Sequence, residues 1–174
     1  MGDFFAAWRA MEKAYKAGKL RVIGVANFYP FMLENLIEAV EIKPAVDQIE
    51  LHPFFQRERD LAYMRENNIQ PMAWGPLDEG RNDIFKHPVL TKIGEKYGKS
   101  AAQVALRWNI DRGVIIIPKS VHVERMQQNI DLFDFELSDE DMREIAALGL
   151  GHSEIIDHFV PAVQKMCLGM KIHS

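Results

Sequence analysis

The sequence predicts an α/β protein with a parallel sheet covered by helices, built from four strand–helix units that follow an N-terminal helix. Short, almost continuous apolar runs alternate with amphipathic or capped segments, which is typical of strands buried on both faces. The connections between the runs can hold crossover helices, which are right-handed in such folds. Four units of this kind are half of a TIM (β/α)₈ barrel. We expect one unit over residues 1–174, with residues 150–174 as a C-terminal tail.

The first half of the chain alternates helices and strands with clear boundaries. Apolar residues at three- and four-residue spacing predict a helix over residues 4–16, which Gly18 ends. An apolar run over residues 21–25 is the first predicted strand. Pro30 begins the next helix, because a missing N–H costs little in a first turn. The remaining predicted elements of this half are helices over residues 30–40 and 57–67 and strands over residues 45–50 and 71–74.

The second half of the chain contains one predicted strand and four predicted helices. Pro88 opens a helix that ends at Gly98. Ser100, with Gln103 three residues later, forms a capping box for a helix that extends to residue 109. The last strand is predicted over residues 114–117, after Gly113. The remaining predicted helices are a short one over residues 123–129 and one that Ser138 caps, with Asp141 at its third position.

The composition excludes several functional classes. The 174 residues are 48% hydrophobic and 26% charged, with a formal net charge of -4, as in ordinary globular proteins. This charge argues against a basic nucleic-acid-binding surface. No apolar segment is long enough to span a membrane, and the N-terminus does not resemble a signal peptide. With one cysteine, no intrachain disulfide forms, and a cytoplasmic protein is expected.

Polar and aromatic side chains lie in or just after the carboxyl-terminal part of each predicted strand, where parallel α/β folds bind ligands. These residues are Asn27, Gln48, Trp74, Lys119, Ser120 and Arg125. Two amides and a flat aromatic ring suit an amide-bearing aromatic ligand, and the cations suit a phosphate. A nicotinamide dinucleotide phosphate has both groups, and the cation pair favours NADP over NAD.

Each of these residues also has a structural interpretation. Trp74 could be core packing, and Asn27 could form an Asx-turn. Gln48 could make a structural hydrogen bond, and Lys119 and Arg125 could be a solvated surface pair. Their shared position at one end of four consecutive strands favours the ligand-binding interpretation. The six histidines show no metal-ligand spacing, so no metal site is predicted.

Several motifs in this order resemble the aldo-keto reductase family. Residues 19–28 are similar to its GKIRxIGVSNF segment, and residues 43–53 are similar to KPAVNQIExHP. Residues 73–77 resemble AYSPL or AWSPL, and residues 117–129 resemble the NADP segment IPKSxxxxRxxEN. The similarity extends from about Trp8 to the C-terminus. It implies that the four predicted units correspond to strands 5–8 of a barrel that reduces aldehydes and ketones with NADPH and without metal.

The resemblance also implies roles for individual residues. Asn27 and Gln48 would bind the carboxamide, and Trp74 would stack on the nicotinamide. The residues implied for the 2′-phosphate end are Lys119, Ser120 and Arg125, and those for the adenine are Gln128 and Asn129. Four residues depart from the family pattern and are expected to weaken or retune cofactor binding: Ala26, Asp47, Gly75 and His122.

The family's catalytic Asp, Tyr, Lys and His lie on the first four strands of its barrel, and no residue here matches them. The chain is therefore expected to be the cofactor-binding half of a reductase, inactive or very weak alone. A small carbonyl substrate is expected only if the barrel is completed. The alternative is a non-catalytic nucleotide-binding remnant or a self-assembling half-barrel structural protein. Unpaired first and fourth strands predict self-association in either case.

Overall fold

The computed structural model describes residues 4–157 and 160–169 of the chain. The helices are α1 (Phe4–Lys16), α2 (Pro30–Ala39), α3 (Glu58–Glu66), α4 (Pro88–Tyr97), α5 (Ala101–Asp111), α6 (Val123–Ile130), α7 (Asp139–Ala146) and α8 (Pro161–Gly169). The strands are β1 (Gly24–Ala26), β2 (Val46–Glu50), β3 (Gln70–Trp74) and β4 (Ile115–Ile116). None of the helices in the described part of the chain has the length and apolar character needed to cross a membrane.

The four strands form one parallel sheet in the order β1–β2–β3–β4, so the predicted α/β class with a four-stranded parallel sheet is confirmed. One row of paired residues crosses all four strands and consists of Ala26, Gln48, Met72 and Ile115. None of the four is fully buried, because they lie on the sheet face opposite the main core. Because all four strands are parallel, their carboxyl ends lie along one edge of the sheet.

The predicted first and last strands differ most from the structure, whereas the middle two differ by one residue at one end. The first was predicted over residues 21–25, but β1 is Gly24–Ala26, because its partner β2 begins only at Val46, opposite Gly24. The last was predicted over residues 114–117, but β4 is only Ile115–Ile116, paired with Met72 and Ala73. Within the predicted tail, the structure contains α8, and residues 158–159 and 170–174 lie outside the described part.

Most of the buried apolar side chains belong to one core between the sheet and the helices. Its members include Leu33, Ile49, Leu61, Met64, Ile93, Val104, Trp108 and Ile145, contributed by β2 and by α2, α3, α4, α5 and α7. A smaller cluster of Trp8, Ile23 and Leu36 fixes α1. The Trp8 indole also donates a hydrogen bond to the Ile42 carbonyl at 3.0 Å. The predicted capping box forms at Ser100, and the predicted cap at Ser138 also forms, with Asp141 completing a second capping box.

Gly24 lies at a close approach of two backbones. A Cβ at this position would meet the Val46 carbonyl oxygen at 2.5 Å and the Val46 Cβ at 3.1 Å. Gly24→Ala is therefore expected to lower the free energy of unfolding by about 1–3 kcal/mol, since backbone must move to relieve the overlap. Urea denaturation followed by circular dichroism measures this. Gly169→Ala is the matched control, because its Cβ meets nothing within 4 Å, and equal stability of the two variants would contradict the prediction.

Candidate functional site

Asn27 and Trp74 contact each other at the carboxyl edge of the sheet. Asn27 follows β1 in the left-handed region, with φ 58°, which asparagine adopts more readily than most residues. Its backbone N–H donates to the Gln48 carbonyl at 2.9 Å. The Trp74 Nε1–H donates to Asn27 Oδ1 at 2.7 Å, which fixes the indole beside the amide. The Asn27 side-chain NH₂ has no hydrogen bond to any residue in the described ranges.

Gln48 and Trp74 lie on the same face of the sheet. Gln48 pairs with Met72, which is two residues before Trp74 on β3, and side chains two residues apart on a strand point to the same face. The Gln48 side-chain NH₂ donates to the sulfur of Met72 at 3.4 Å, and a thioether is a weak acceptor. Its amide oxygen accepts no hydrogen bond from residues 4–157 or 160–169. The structure thus brings together the two predicted amides and the predicted aromatic ring, with amide groups available to a ligand.

The remaining five predicted site residues line a single cleft of about 510 Å³, formed by Lys119, Ser120, Arg125, Gln128 and Asn129. The turn after β4 supplies the first two. The other three follow at helical spacing on α6, so they share one helix face. The cleft is also lined by three residues between β3 and α4, namely Leu77, Phe85 and Lys86. Ser100 and Ala102, at the N-terminus of α5, also line it.

The cleft is electropositive and its cations are not neutralised within the described residues. Neither Lys119 nor Arg125 pairs with a carboxylate there, whereas the neighbouring Lys99 binds Asp131 and Asp134. Ser120 Oγ accepts a hydrogen bond from the His122 backbone N–H at 3.1 Å, which holds the turn. The first turn of α6 adds the positive end of a helix dipole. An anionic group such as a phosphate fits these surroundings.

A buried polar cluster that the sequence did not predict lies under the strand ends. Glu50, His52 and Asp78 are almost completely buried. His52 Nε2 lies 3.1 Å from Glu50 Oε1 and 3.4 Å from Asp78 Oδ1. The Ser153 hydroxyl donates to Glu50 Oε2 at 2.7 Å and thereby ties the C-terminal segment to β2. Burial raises the pKa of Asp78, although a hydrogen bond from Asn82 partly offsets this effect.

Asp47, one of the four departures from the family pattern, faces the opposite side of β2 from Gln48 and is fully buried. Its Oδ1 accepts a long hydrogen bond of 3.4 Å from the Phe28 N–H. Its Oδ2 has no hydrogen-bond partner among the described residues. Burial raises the pKa of this carboxyl to about 7. Asp47 therefore packs beneath the turn that contains Asn27, and it does not line the cleft.

The fold and the site define a parallel α/β protein that carries two amides, an aromatic ring and a cleft lined by cations at the carboxyl ends of its strands. The chain belongs to the aldo/keto reductase family, whose profile matches residues 3–149. It is 50% identical over 141 residues to glyoxal reductase of Bacillus subtilis, covering 81% of this chain and 50% of that protein. It is 38% identical to the methylglyoxal reductase DkgA of Escherichia coli, covering 85% and 54% of the two chains.

Solved structures give the same result. An aldo-keto reductase of Bombyx mori, AKR2E4 in complex with NADP, superposes with a TM-score of 0.82 at 35% identity, covering 90% of this chain and 53% of that chain. An aldo-keto reductase from a deep-sea metagenome, MGS-M4, gives a TM-score of 0.83 at 36% identity, covering 91% and 62%. The chain spans about half the length of the curated relatives it matches.

Proposed function

We propose that this chain is a (βα)₄ half-barrel, corresponding to strands 5–8 of the family's barrel, and that it binds NADP(H) as the cofactor-holding half of a carbonyl reductase. The observation that carries the proposal is the cleft. Five residues inferred from the family motif for the 2′-phosphate and adenine line it together, and its two cations lack acidic partners in the described residues.

The residues present fit both ends of NADP(H). At the nicotinamide end, the Trp74 indole offers a flat surface for stacking, and the amides of Asn27 and Gln48 can bind the carboxamide. At the other end, Lys119, Ser120 and Arg125 would bind the 2′-phosphate. Gln128 and Asn129 would bind the adenine. When bound, NADPH supplies a hydride for the reduction of a carbonyl carbon.

Asn27, Gln48 and Trp74 would hold and orient the nicotinamide, but none of these three side chains is a general acid. Reduction of a carbonyl requires a proton donor and stabilisation of the developing alkoxide. Tyr63 on α3 donates a hydrogen bond to Glu34, and Tyr97 on α4 donates to Asp141, both away from the strand ends. Tyr15 lies on α1. Tyr29 lies in the loop between β1 and α2, where its ring packs against the Arg57 guanidinium. We therefore propose that the chain alone is inactive or very weak, since a general acid contributes about 10²–10⁴ in rate.

We further propose that a second copy of the chain completes the barrel. The row from Ala26 to Ile115 lies on the face that would become the barrel interior. Apolar side chains are exposed beside both outer strands, with Val22 before β1 and Ile117 after β4 more than half exposed. Pairing β1 of one copy with β4 of the other would cover both edges. A small carbonyl substrate would bind only in a completed barrel.

The proposal is tested by titrating the purified chain with NADPH, following cofactor fluorescence, and assaying aldehyde reduction on the same sample. Light scattering at micromolar concentration gives the oligomeric state. We expect NADPH binding, a dimer, and turnover at or near background. Binding without turnover supports the cofactor-holding function, and rapid turnover would contradict the proposed inactivity. No NADPH binding would overturn the function and leave the alternative of a self-assembling structural protein.

A further inference from the structure

Asp47 lies beneath the turn that carries Asn27, and it immediately precedes Gln48 on β2. Its side chain is fully buried, and the side chain of Gln48 points to the other face of the sheet. Two adjacent residues of β2 therefore reach the proposed nicotinamide end in different ways. Gln48 offers its amide to the ligand, and Asp47 contacts the backbone of the turn that orients Asn27.

The turn at Asn27 and Phe28 is held by few polar contacts. The Phe28 N–H donates to Asp47 Oδ1 at 3.4 Å, which is long for a hydrogen bond. The Asn27 N–H donates to the Gln48 carbonyl at 2.9 Å, and the Trp74 indole donates to Asn27 Oδ1 at 2.7 Å. A displacement of the Phe28 backbone would therefore move the Asn27 amide and disturb the indole that it contacts.

The surroundings of Asp47 do not neutralise a negative charge. Its Oδ2 has no hydrogen-bond partner in the described part of the chain. The charged groups that act on it come from the start of α3, where Arg57 and Asp60 form an ion pair with each other. On its own strand, Glu50 points to the opposite face. The residues paired with Asp47 on the neighbouring strands carry no charge and are Val25 and Pro71.

An ionised Asp47 would therefore be a buried charge with a single long hydrogen bond, and such a charge is costly. Burial raises the pKa of the carboxyl to about 7 for this reason. The protonated side chain is neutral and stays packed beneath the turn. The ionised side chain gains hydration when the turn opens locally, and this opening disrupts only the few contacts of the turn.

We propose that Asp47 is a positioning residue for the nicotinamide end of the site, and that NADP(H) binds to the chain with Asp47 protonated. The inference rests on the proposed function, because Asn27 and Trp74 are the residues that Asp47 positions. Opening of the turn displaces Asn27 from the edge of the sheet. The nicotinamide end therefore loses affinity as Asp47 ionises, whereas the cleft after β4 keeps its affinity for the adenine and the 2′-phosphate.

The sign and size of the effect follow from linkage. Binding is full below the pKa of Asp47, and the apparent dissociation constant rises about tenfold for each pH unit above that pKa when only the protonated form binds. With a pKa of about 7, NADPH binding is expected to change little near pH 6.5 and to weaken about tenfold by pH 8. Because coupling is reciprocal, bound NADPH raises the pKa of Asp47 further.

The experiment measures dissociation constants of the wild-type chain and Asp47→Asn for NADPH and for adenosine 2′,5′-bisphosphate between pH 6.5 and pH 8. The bisphosphate contains the adenine and the 2′-phosphate but no nicotinamide, so it reports on the cleft alone. Asparagine has nearly the same shape as aspartate and does not titrate. The ratio of wild-type to Asp47→Asn dissociation constants therefore cancels the titration of the phosphate. We expect this ratio to rise about tenfold for NADPH and to stay constant for the bisphosphate.

Carbon-13 NMR of the Asp47 carboxyl gives a second measurement, which uses only the wild-type chain and remains decisive if Asp47→Asn does not fold. We expect saturating NADPH to raise the pKa of this carboxyl and the bisphosphate to leave it unchanged.

Three results would overturn the inference while leaving the proposed function intact. The NADPH ratio could stay constant with pH although both proteins bind NADPH. The bisphosphate ratio could rise as much as the NADPH ratio, which would indicate loss of the whole fold rather than of the turn. Saturating NADPH could leave the pKa of Asp47 unchanged. If the wild-type chain binds neither ligand at any pH, the proposed function fails and the inference fails with it.

Discussion

The double substitution Lys119→Met and Arg125→Met is expected to weaken NADPH binding by about a hundredfold and to remove most of the preference over NADH. Hydrogen bonds to charged groups contribute about 1.5–3 kcal/mol each, and neither cation has an acidic partner in the described residues that would compete with a ligand. Methionine keeps much of the side-chain length and apolar surface. The loss is therefore expected to reflect the missing charge.

Fluorescence titration with both nucleotides at several salt concentrations measures this effect. Raising the salt should weaken NADPH binding to the wild-type chain, and this salt dependence should be smaller in the double variant. Lys92→Met is the matched control, because Lys92 is exposed on α4 and pairs with Glu144 outside the cleft. An equal loss of affinity for NADPH and NADH would contradict a role at the 2′-phosphate.

Asp47→Asn is expected to stabilise the chain at alkaline pH and to flatten its stability between about pH 4 and pH 8. Burial raises the pKa of Asp47 from 3.8 to about 7, so the folded state binds a proton that the unfolded state releases in this range. The contribution of Asp47 to the free energy of unfolding is therefore largest below about pH 4, and it falls as the pH rises to about 7. A pKa shift of one unit corresponds to about 1.4 kcal/mol, so the loss in free energy of unfolding reaches about 4 kcal/mol.

Urea denaturation at pH 5, 7 and 8.5 measures this dependence. The wild-type chain should lose stability across the series relative to Asp47→Asn, and the difference should be smallest at pH 5. Glu95→Gln serves as the control, because Glu95 is exposed on α4 and its replacement is expected to change stability by less than about 0.5 kcal/mol. A difference between the wild-type chain and Asp47→Asn that stays constant with pH would contradict the raised pKa.

Features encoded by neighbouring residues could be predicted from the sequence. The bounds of α1 match the prediction, and the caps at Ser100 and Ser138 form as expected, because each depends on residues three or four positions apart. The parallel order of the strands followed from their alternation with helices. The five site residues predicted in the segment after β4 all line the cleft, because the motif places them on one turn and one helix face.

Features that depend on distant partners could not be predicted. The length of β4 is limited by pairing with β3, which cannot be deduced from the apolar run over residues 114–117. The contact of Ser153 with Glu50 joins residues that no local pattern relates. The hydrogen bond from Trp74 to Asn27 likewise joins residues that are far apart in the sequence. Asp47 was recognised as unusual, but its burial and the rise of its pKa depend on packing around β2.

The strand order also determines how the chain can assemble. Within residues 4–157 and 160–169, each strand pairs only with the strands adjacent to it in sequence, so no strand pair there joins the two ends of the sheet. Each loop-closure step therefore spans only the segment between two consecutive strands, which contains one helix or, between β3 and β4, two α-helices. Its entropic cost grows only slowly with the length of that segment. Parallel pairing across crossover helices is nevertheless slow, because the intervening chain must be ordered before the two strands meet. The five-residue pairing of β2 with β3 can form first and add β1 and β4 independently, on opposite sides.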